Sequence, residues 1–291
     1  MDLTNLVTIK SLCKKYGIRP SKGVGQNFLI DREVLETMVA AADLKKDDIV
    51  LEIGPGFGVL TAELAERVGR VVAVEADRRL VEALREILAE YKNVEIIQED
   101  ILKFQVSSFS AKGGFASGGQ FSNYGYKIVS NLPYQITSAA LRKFLENEPR
   151  PSEITVMVQK EVADRICAEP GEMSLLSLSV QFYGQPAIVA TVPRRAFWPE
   201  PEVDSAILKI SNIQDVSAKN KKEILPEKFF RVAKIGFSAR RKQLQNNLAG
   251  GLRLSNKTVQ DILVKLGFDQ KIRAQDLSIE DWIRLINNLS A

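Results

Sequence analysis

Asn131-Leu132-Pro133-Tyr134 place an amide, a proline-fixed turn and an aromatic face directly after an apolar run at 127–130. That set suits an exocyclic amine such as the one on adenine. The lone pair of such a nitrogen is delocalised into its ring, which makes it a poor nucleophile. A neutral amide oxygen from Asn131 and the backbone carbonyl of Leu132 can accept its two hydrogens, favouring a pyramidal nitrogen with a usable lone pair. Pro133 fixes the turn and directs the carbonyl inward. Tyr134 offers a face on which a displaced base can stack. Attack on a methyl sulfonium needs no strong base, because the ammonium it forms is acidic and loses its proton afterwards. Taken alone, the four residues read as an ordinary Asn-x-Pro turn with a packed tyrosine. The elements that position them change that reading.

The stretch 49–64, IVLEIGPGFGVLTAEL, organises the rest. Ile49 to Ile53 reads as a buried parallel strand, Gly54, Gly56 and Gly58 as a turn, and Leu60, Leu64 and Ala65 recur at helical spacing. Backbone amides in such a turn can approach a nucleotide-like ligand. The dinucleotide fingerprint G-x-G-x-x-G is not met, because Val59 stands where the last glycine belongs. Glu52, just before the turn, is out of place in a pyrophosphate cradle and sensible beside a cationic ligand. RVVAVEAD (70–77) is a second strand, followed by a helix over 79–91, and VEIIQED (94–100) is a third. Glu75 at the second tip can accept both hydroxyls of a ribose. Asp100 at the third can take a hydrogen bond from an adenine amine. Either acid alone could simply be solvated; in strand order with the glycine turn they form one ligand-binding edge. The βαβαβ alternation predicts an α/β fold with a doubly wound parallel sheet.

Residues 1–24 read as a short helix (6–16) and a basic arm, followed by GQNFLID (25–31) and a helix over 32–42 with Asp31 as N-cap. The glycine- and serine-rich segment 107–125 breaks the pattern and reads as a surface loop. Further strands are expected at 154–159, 187–192 and 205–210, and a helix at 174–183. The lysine-rich stretch 211–223 reads as a linker. Beyond it the periodicity is helical at 227–237, 240–249, 255–266 and 278–289. The expected domains are therefore 1–212 and 213–291.

The sequence contains no histidine, which excludes imidazole catalysis, Ser-His-Asp triads and histidine metal sites. Cys13 and Cys167 are isolated, so neither a zinc site nor a disulfide framework is expected, and a reducing cytoplasm fits. No secretory cleavage pattern and no apolar run near ~18 residues is present, so no membrane association is expected. A formal net charge of +4 permits a polyanionic partner.

Gln26-Asn27-Phe28-Leu29, Glu52-Ile53-Gly54-Pro55-Gly56-x-Gly58, Glu75, Glu99-Asp100 and Asn131-Leu132-Pro133-Tyr134 together resemble the motif series of the rRNA adenine N(6),N(6)-dimethyltransferases. The resemblance continues through Phe197-Trp198-Pro199-x-Pro201-x-Val203-Asp204-Ser205-Ala206, Phe237-x-x-Arg240-Arg241-Lys242 and Arg273-Ala274-x-x-Leu277-Ser278. It covers nearly the whole chain and is nearest to the small-subunit type. The erythromycin-resistance enzymes of large-subunit rRNA are close relatives and the alternative within the class. An rRNA-binding assembly factor with methylation secondary is the alternative outside it.

The resemblance implies a Rossmann-like methyltransferase sheet, a small helical C-terminal domain for rRNA recognition, and S-adenosylmethionine as methyl donor, with no metal. Asn27, Leu29 and Gln26 of the arm, Glu52, Gly54, Gly56, Ala76 and Glu99 would line the donor's site. Glu75 would hold its ribose and Asp100 its adenine. Asn131 would orient the target amine, with Tyr134 and Phe197 sandwiching the base. Lys22, Arg194, Arg195, Arg240, Arg241 and Lys242 are the candidate phosphate contacts, with Lys14 and Lys15 beside them. Two transfers are implied on each of two adjacent adenines in a small-subunit rRNA hairpin loop, during ribosome biogenesis in the cytoplasm, by a monomer. Against the family pattern, 107–125 reads as an insertion, and Glu172-Met173 stands where many relatives carry Tyr-Gly.

Overall fold

A computed structural model describes residues 1–20, 26–106, 125–213 and 224–289. In chain order these form α1 (Leu6–Lys15), β1 (Phe28–Leu29), α2 (Arg32–Ala41), β2 (Ile49–Ile53), α3 (Val59–Ala65), β3 (Arg70–Glu75), α4 (Arg78–Ile87) and β4 (Val94–Gln98). Then follow β5 (Lys127–Asn131), α5 (Thr137–Glu146), β6 (Glu153–Gln159), α6 (Lys160–Ile166), α7 (Leu175–Gln181), β7 (Gln185–Val192), β8 (Phe197–Trp198) and β9 (Ser205–Ser211). The chain ends in α8 (Pro226–Gly236), α9 (Leu244–Leu252), α10 (Asn256–Lys265) and α11 (Ile279–Asn288).

The large sheet has the order β4-β3-β2-β5-β6-β9-β7. Its first five strands are mutually parallel, while β9 runs antiparallel to both β6 and β7. The unbroken apolar runs of β2 and β3 explain why both are buried: a parallel sheet is covered on both faces. On one face Leu35, Met38 and Val39 of α2 and Leu60 and Leu64 of α3 pack on Val50, Val71, Val129, Met157 and Ile207 of the strands. Each such side chain contributes roughly 1.5–3 kcal/mol by leaving water. Asp31 starts α2 as expected, accepting a bond from the Val34 amide at 3.1 Å. A second cluster gathers Ile9, Leu12 and Cys13 of α1 with Phe28, Phe57, Leu80 and Ala83. Lys15 and Tyr16 both bond the carboxylate of Glu86 on α4, fastening the N-terminal helix beside the glycine turn.

The chain divides into two compact units. The first comprises residues 1–163 and 185–213; the second takes the helices from residue 224 onward and also residues 164–184. A single boundary near 212 therefore has to be amended for 164–184. The cause is packing: Met173 and Leu178 are buried with Phe229, Leu248, Leu263 and Trp282. The amides of Gly171 and Met173 both donate to the Gln275 carbonyl, at 2.9 and 3.2 Å. Met173, one of the departures from the family pattern, is thus an anchor of this second core.

Candidate active site at the carboxyl ends of the strands

Strand order reverses between β2 and β5, with β3 and β4 on one side and β6 on the other. The β2–β5 ladder holds only at Val50–Lys127 and Leu51–Ile128, whereas β2–β3 runs through five pairs. The carboxyl ends of β2 and β5 consequently part, and open α/β sheets bind ligands in such a crevice. Ser130 spans the gap, its hydroxyl donating to the Ile53 carbonyl at 2.6 Å.

A cavity of about 620 Å³ opens there. Its walls hold Gln26, Asn27 and Leu29 from the arm, and Glu52, Gly54 and Gly56 from the glycine turn. Glu75 and Ala76 line it from the tip of β3, Glu99 and Asp100 from beyond β4, and Asn131 to Tyr134 from the tip of β5. The motifs read from the sequence thus meet in one place. Ile9, Phe28, Phe57 and Leu80 also line it, and spacing alone did not assign them. Phe28 and Phe57 lie with ring centroids 4.8 Å apart, forming an apolar wall. The signal available for Ile9 was its place on the apolar face of an amphipathic helix.

The glycines are required by the backbone. Gly54 has φ +64°, and a Cβ there would lie 3.3 Å from the Pro133 ring across the crevice. Gly56 has φ +62°, and its Cβ would press on Phe28 at 3.3 Å. Glu52 is 2% exposed, and its Oε2 is buried without a hydrogen-bond partner. Burial pushes its carboxyl up to about 8; Thr61 offsets part of this and the charge of Glu75 adds to it. Glu75 is also raised by burial, less so because the amides of Asp77, Gly56 and Ala76 surround it. Its Oε1 accepts from the Asp77 amide at 2.9 Å. Asp100 accepts from the Leu102 amide at 2.9 Å, which shapes the loop after β4.

Asn131 ends β5, and its Nδ2 donates to the Asn27 carbonyl at 3.3 Å. With the amide nitrogen engaged, Oδ1 is left as the acceptor. The Leu132 amide donates to Met157 O at 3.1 Å, which ties the turn to β6. Tyr134 is half-buried and its hydroxyl lies 2.7 Å from Ser205 Oγ. Burial raises the Tyr134 phenol, and Ser205 offsets part of that.

Phe197 departs from expectation. It is 2% exposed, pairs with Leu29 in the short β1–β8 ribbon and packs among Met38, Val192 and Ile207 rather than lining the cavity. Neighbouring residues on a strand face opposite ways, so Trp198 takes the other side, where Lys10 lies 5.7 Å from its ring. Arg194 and Arg195 are exposed, with Arg194 paired to Glu200 at 2.7 Å. Arg240, Arg241 and Lys242 are exposed on the turn between α8 and α9. Lys22 and residues 107–124 of the insertion lie outside the described residues. Among the described residues no group of side chains suited to a metal ion occurs, and no helix is long and apolar enough to cross a membrane.

A sheet of this order, with acids at successive tips and a glycine turn at the switch point, defines the Rossmann-like methyltransferase class. The chain belongs to the ribosomal RNA adenine dimethylase family, whose model matches residues 19–291. It is 46% identical to the ribosomal RNA small subunit methyltransferase A of Dehalococcoides mccartyi, over 95% of this chain and 90% of that protein. Among solved structures, a dimethyladenosine transferase from Plasmodium falciparum shares the fold, with a TM-score of 0.71, 24% identity, and coverage of 90% of this chain and 97% of its own. The 23S rRNA methyltransferase ErmE superposes with a TM-score of 0.69 at 29% identity, covering 91% of this chain and 100% of its own.

Proposed function

We propose that this protein transfers methyl groups from S-adenosylmethionine to the exocyclic amines of two adjacent adenines in a small-subunit rRNA loop. It would act on the pre-ribosomal small subunit, as a monomer in the cytoplasm. Relatives named small subunit methyltransferase A at this level of identity favour that acceptor over large-subunit rRNA.

The cavity suits the donor. The Gly54 backbone leaves room that any Cβ would fill, and the orphaned Glu52 Oε2 is an acceptor awaiting a cationic group. Asn27, Leu29 and Gly54 would hold the donor's aminoacyl end, Glu75 its ribose and Asp100 its adenine, with Gln26, Gly56, Ala76 and Glu99 completing the walls. When bound, the donor supplies an electrophilic methyl on a sulfonium. The remaining work belongs to the chain. Asn131 Oδ1 and the Leu132 carbonyl accept the two hydrogens of the target amine. Tyr134 supports the base, and Pro133 keeps the carbonyl turned inward. A loop adenine is already unpaired, so extruding it costs less than opening a duplex. Arg194, Arg195, Arg240, Arg241 and Lys242 would contact phosphates, and the helical unit would help recognise assembled rRNA.

The observation that carries this reading is the Asn131 amide, whose nitrogen is held by Asn27 so that its oxygen is the free acceptor. Mass spectrometry of rRNA from cells with and without the gene tests it. Dimethyladenosine in small-subunit rRNA should disappear with the gene. An unchanged small-subunit signal with loss from the large subunit would overturn the acceptor.

A further inference from the structure

A half-buried Tyr134 held by ring packing alone could swing about its Cα–Cβ bond, and a swinging ring is a poor platform. Its hydroxyl is instead held 2.7 Å from Ser205 Oγ, across 71 residues of sequence. Ser205 is fully buried at the first position of β9. It pairs with Gln159 at the end of β6 and Val192 at the end of β7. The residue before it is fastened as well: the Asp204 carbonyl accepts from the Lys160 amide at 3.0 Å, and its Oδ1 from the Arg194 amide at 2.9 Å. Ser205 is therefore a rigid point, while Tyr134 sits on a single 3-10 turn at 134–136 and lines the cavity. Ser205 does not line the cavity, so it acts only through the tyrosine.

We propose that Ser205 is a positioning residue, whose hydroxyl anchors the far end of the Tyr134 side chain so that the ring stands in one place beside an extruded adenine. This rests on the proposed stacking role of Tyr134. The antiparallel strand β9, which contributes nothing else to the cavity, thereby sets the geometry of the acceptor side. The donor side is independent of the pair.

The test uses the full chain, with small-subunit rRNA particles as acceptor, and four variants: Ser205→Ala, Tyr134→Phe, the double variant, and Tyr134→Ala. Ser205→Ala and Tyr134→Phe should each lower kcat/KM for RNA by roughly tenfold, the scale of one lost hydrogen bond that leaves a buried partner unmade. Both should leave the affinity for S-adenosylhomocysteine, read by calorimetry, unchanged. The double variant should match either single variant, since both remove the same bond. Wild-type kinetics in Ser205→Ala or Tyr134→Phe, or losses that multiply in the double variant, would overturn the positioning role. If Tyr134→Ala is as active as the parent, the stacking role itself fails and the inference falls with it. A disabled Tyr134→Ala beside harmless Ser205→Ala and Tyr134→Phe sinks the inference alone.

Discussion

The strand pair β2–β5 is closed at one end and open at the other. At its amino end the ladder is formed, and Lys127 Nζ donates to Asp48 at 3.0 Å and to the carbonyls of Ala42 and Asp43 at 3.2 and 2.5 Å. Lys209 does the same for the Ala41 carbonyl at 2.8 Å, so two lysines cap the carbonyls at and just beyond the end of α2. At its carboxyl end the ladder has stopped, the backbone turns through left-handed glycines, and Glu52 Oε2 is buried without a hydrogen-bond partner. Buried polar atoms are almost always paired, so an orphan beside a cavity points to a group that arrives later. The closed end has an orphan as well, Glu153 Oε1, but it does not line the cavity, and the other oxygen of that carboxylate pairs with Lys209 at 3.2 Å. The open end differs in setting its orphan where a ligand can complete the set.

The largest effect should come from the open end. Asn131→Ala removes the free amide oxygen and its tether to Asn27, and is expected to lower turnover by roughly ten- to a thousandfold, the range for one preorganised polar group. Initial rates on small-subunit rRNA measure it; a normal rate in a folded variant would remove Asn131 from the mechanism. Next comes Gly54→Ala. A side chain in the left-handed region costs about 1–2 kcal/mol, and here its Cβ also meets Pro133. Denaturant melts should show the unfolding free energy lowered by at least that amount. Unchanged stability would mean the crevice can widen at no cost.

Much of the open end was legible in the sequence because its rules are local. A glycine turn, a strand-terminal acid and an Asn-x-Pro-Tyr turn each carry their geometry in a few adjacent residues. What escaped was tertiary. The β1–β8 ribbon is two residues per strand, too short to show a period, yet it buries Phe197 and removes it from the cavity. Ile9 reaches the cavity only because α1 is fastened beside α4. Segment 164–184 reads locally as more of the first unit, and only its packing on the second core reassigns it. The parallel order followed from βαβ alternation, whereas the antiparallel edge of β9 and β7 depends on a connection whose length and polarity do not dictate a partner.

The closed end should respond in stability alone. Lys127→Met strips the cation from Asp48 and the Ala42 carbonyl, both half-buried, and from the exposed carbonyl of Asp43. It should lower unfolding free energy by about 1–3 kcal/mol, the cost of leaving such acceptors unmade. Denaturant melts measure that loss, and methylation per folded molecule should stay unchanged. If activity fell with stability restored at low temperature, the two ends would be coupled and the contrast between them would fail.

The sharpest test of the contrast belongs to Glu52. Its carboxyl titrates near 8 rather than its ordinary 4.5 because burial disfavours the charge. Below 4.5 both folded and unfolded chains carry the proton and the group contributes no pH dependence. Between 4.5 and 8 the folded chain keeps a proton that the unfolded chain has released, so stability falls as pH rises and levels off above 8. Glu52→Gln cannot ionise and should remove that part of the slope. Its melting temperature should match the parent near pH 4 and exceed it at pH 8 by roughly 2–4 °C for each kcal/mol recovered. Glu75 is raised too, so some slope should remain. With S-adenosylmethionine added, the sign should reverse. A carboxylate facing the donor's ammonium is stabilised by it, and the glutamine variant should bind the donor more weakly at pH 8. A variant that is more stable and binds just as well would make Glu52 Oε2 a plain packing defect, and the open end would then be open for no chemical reason.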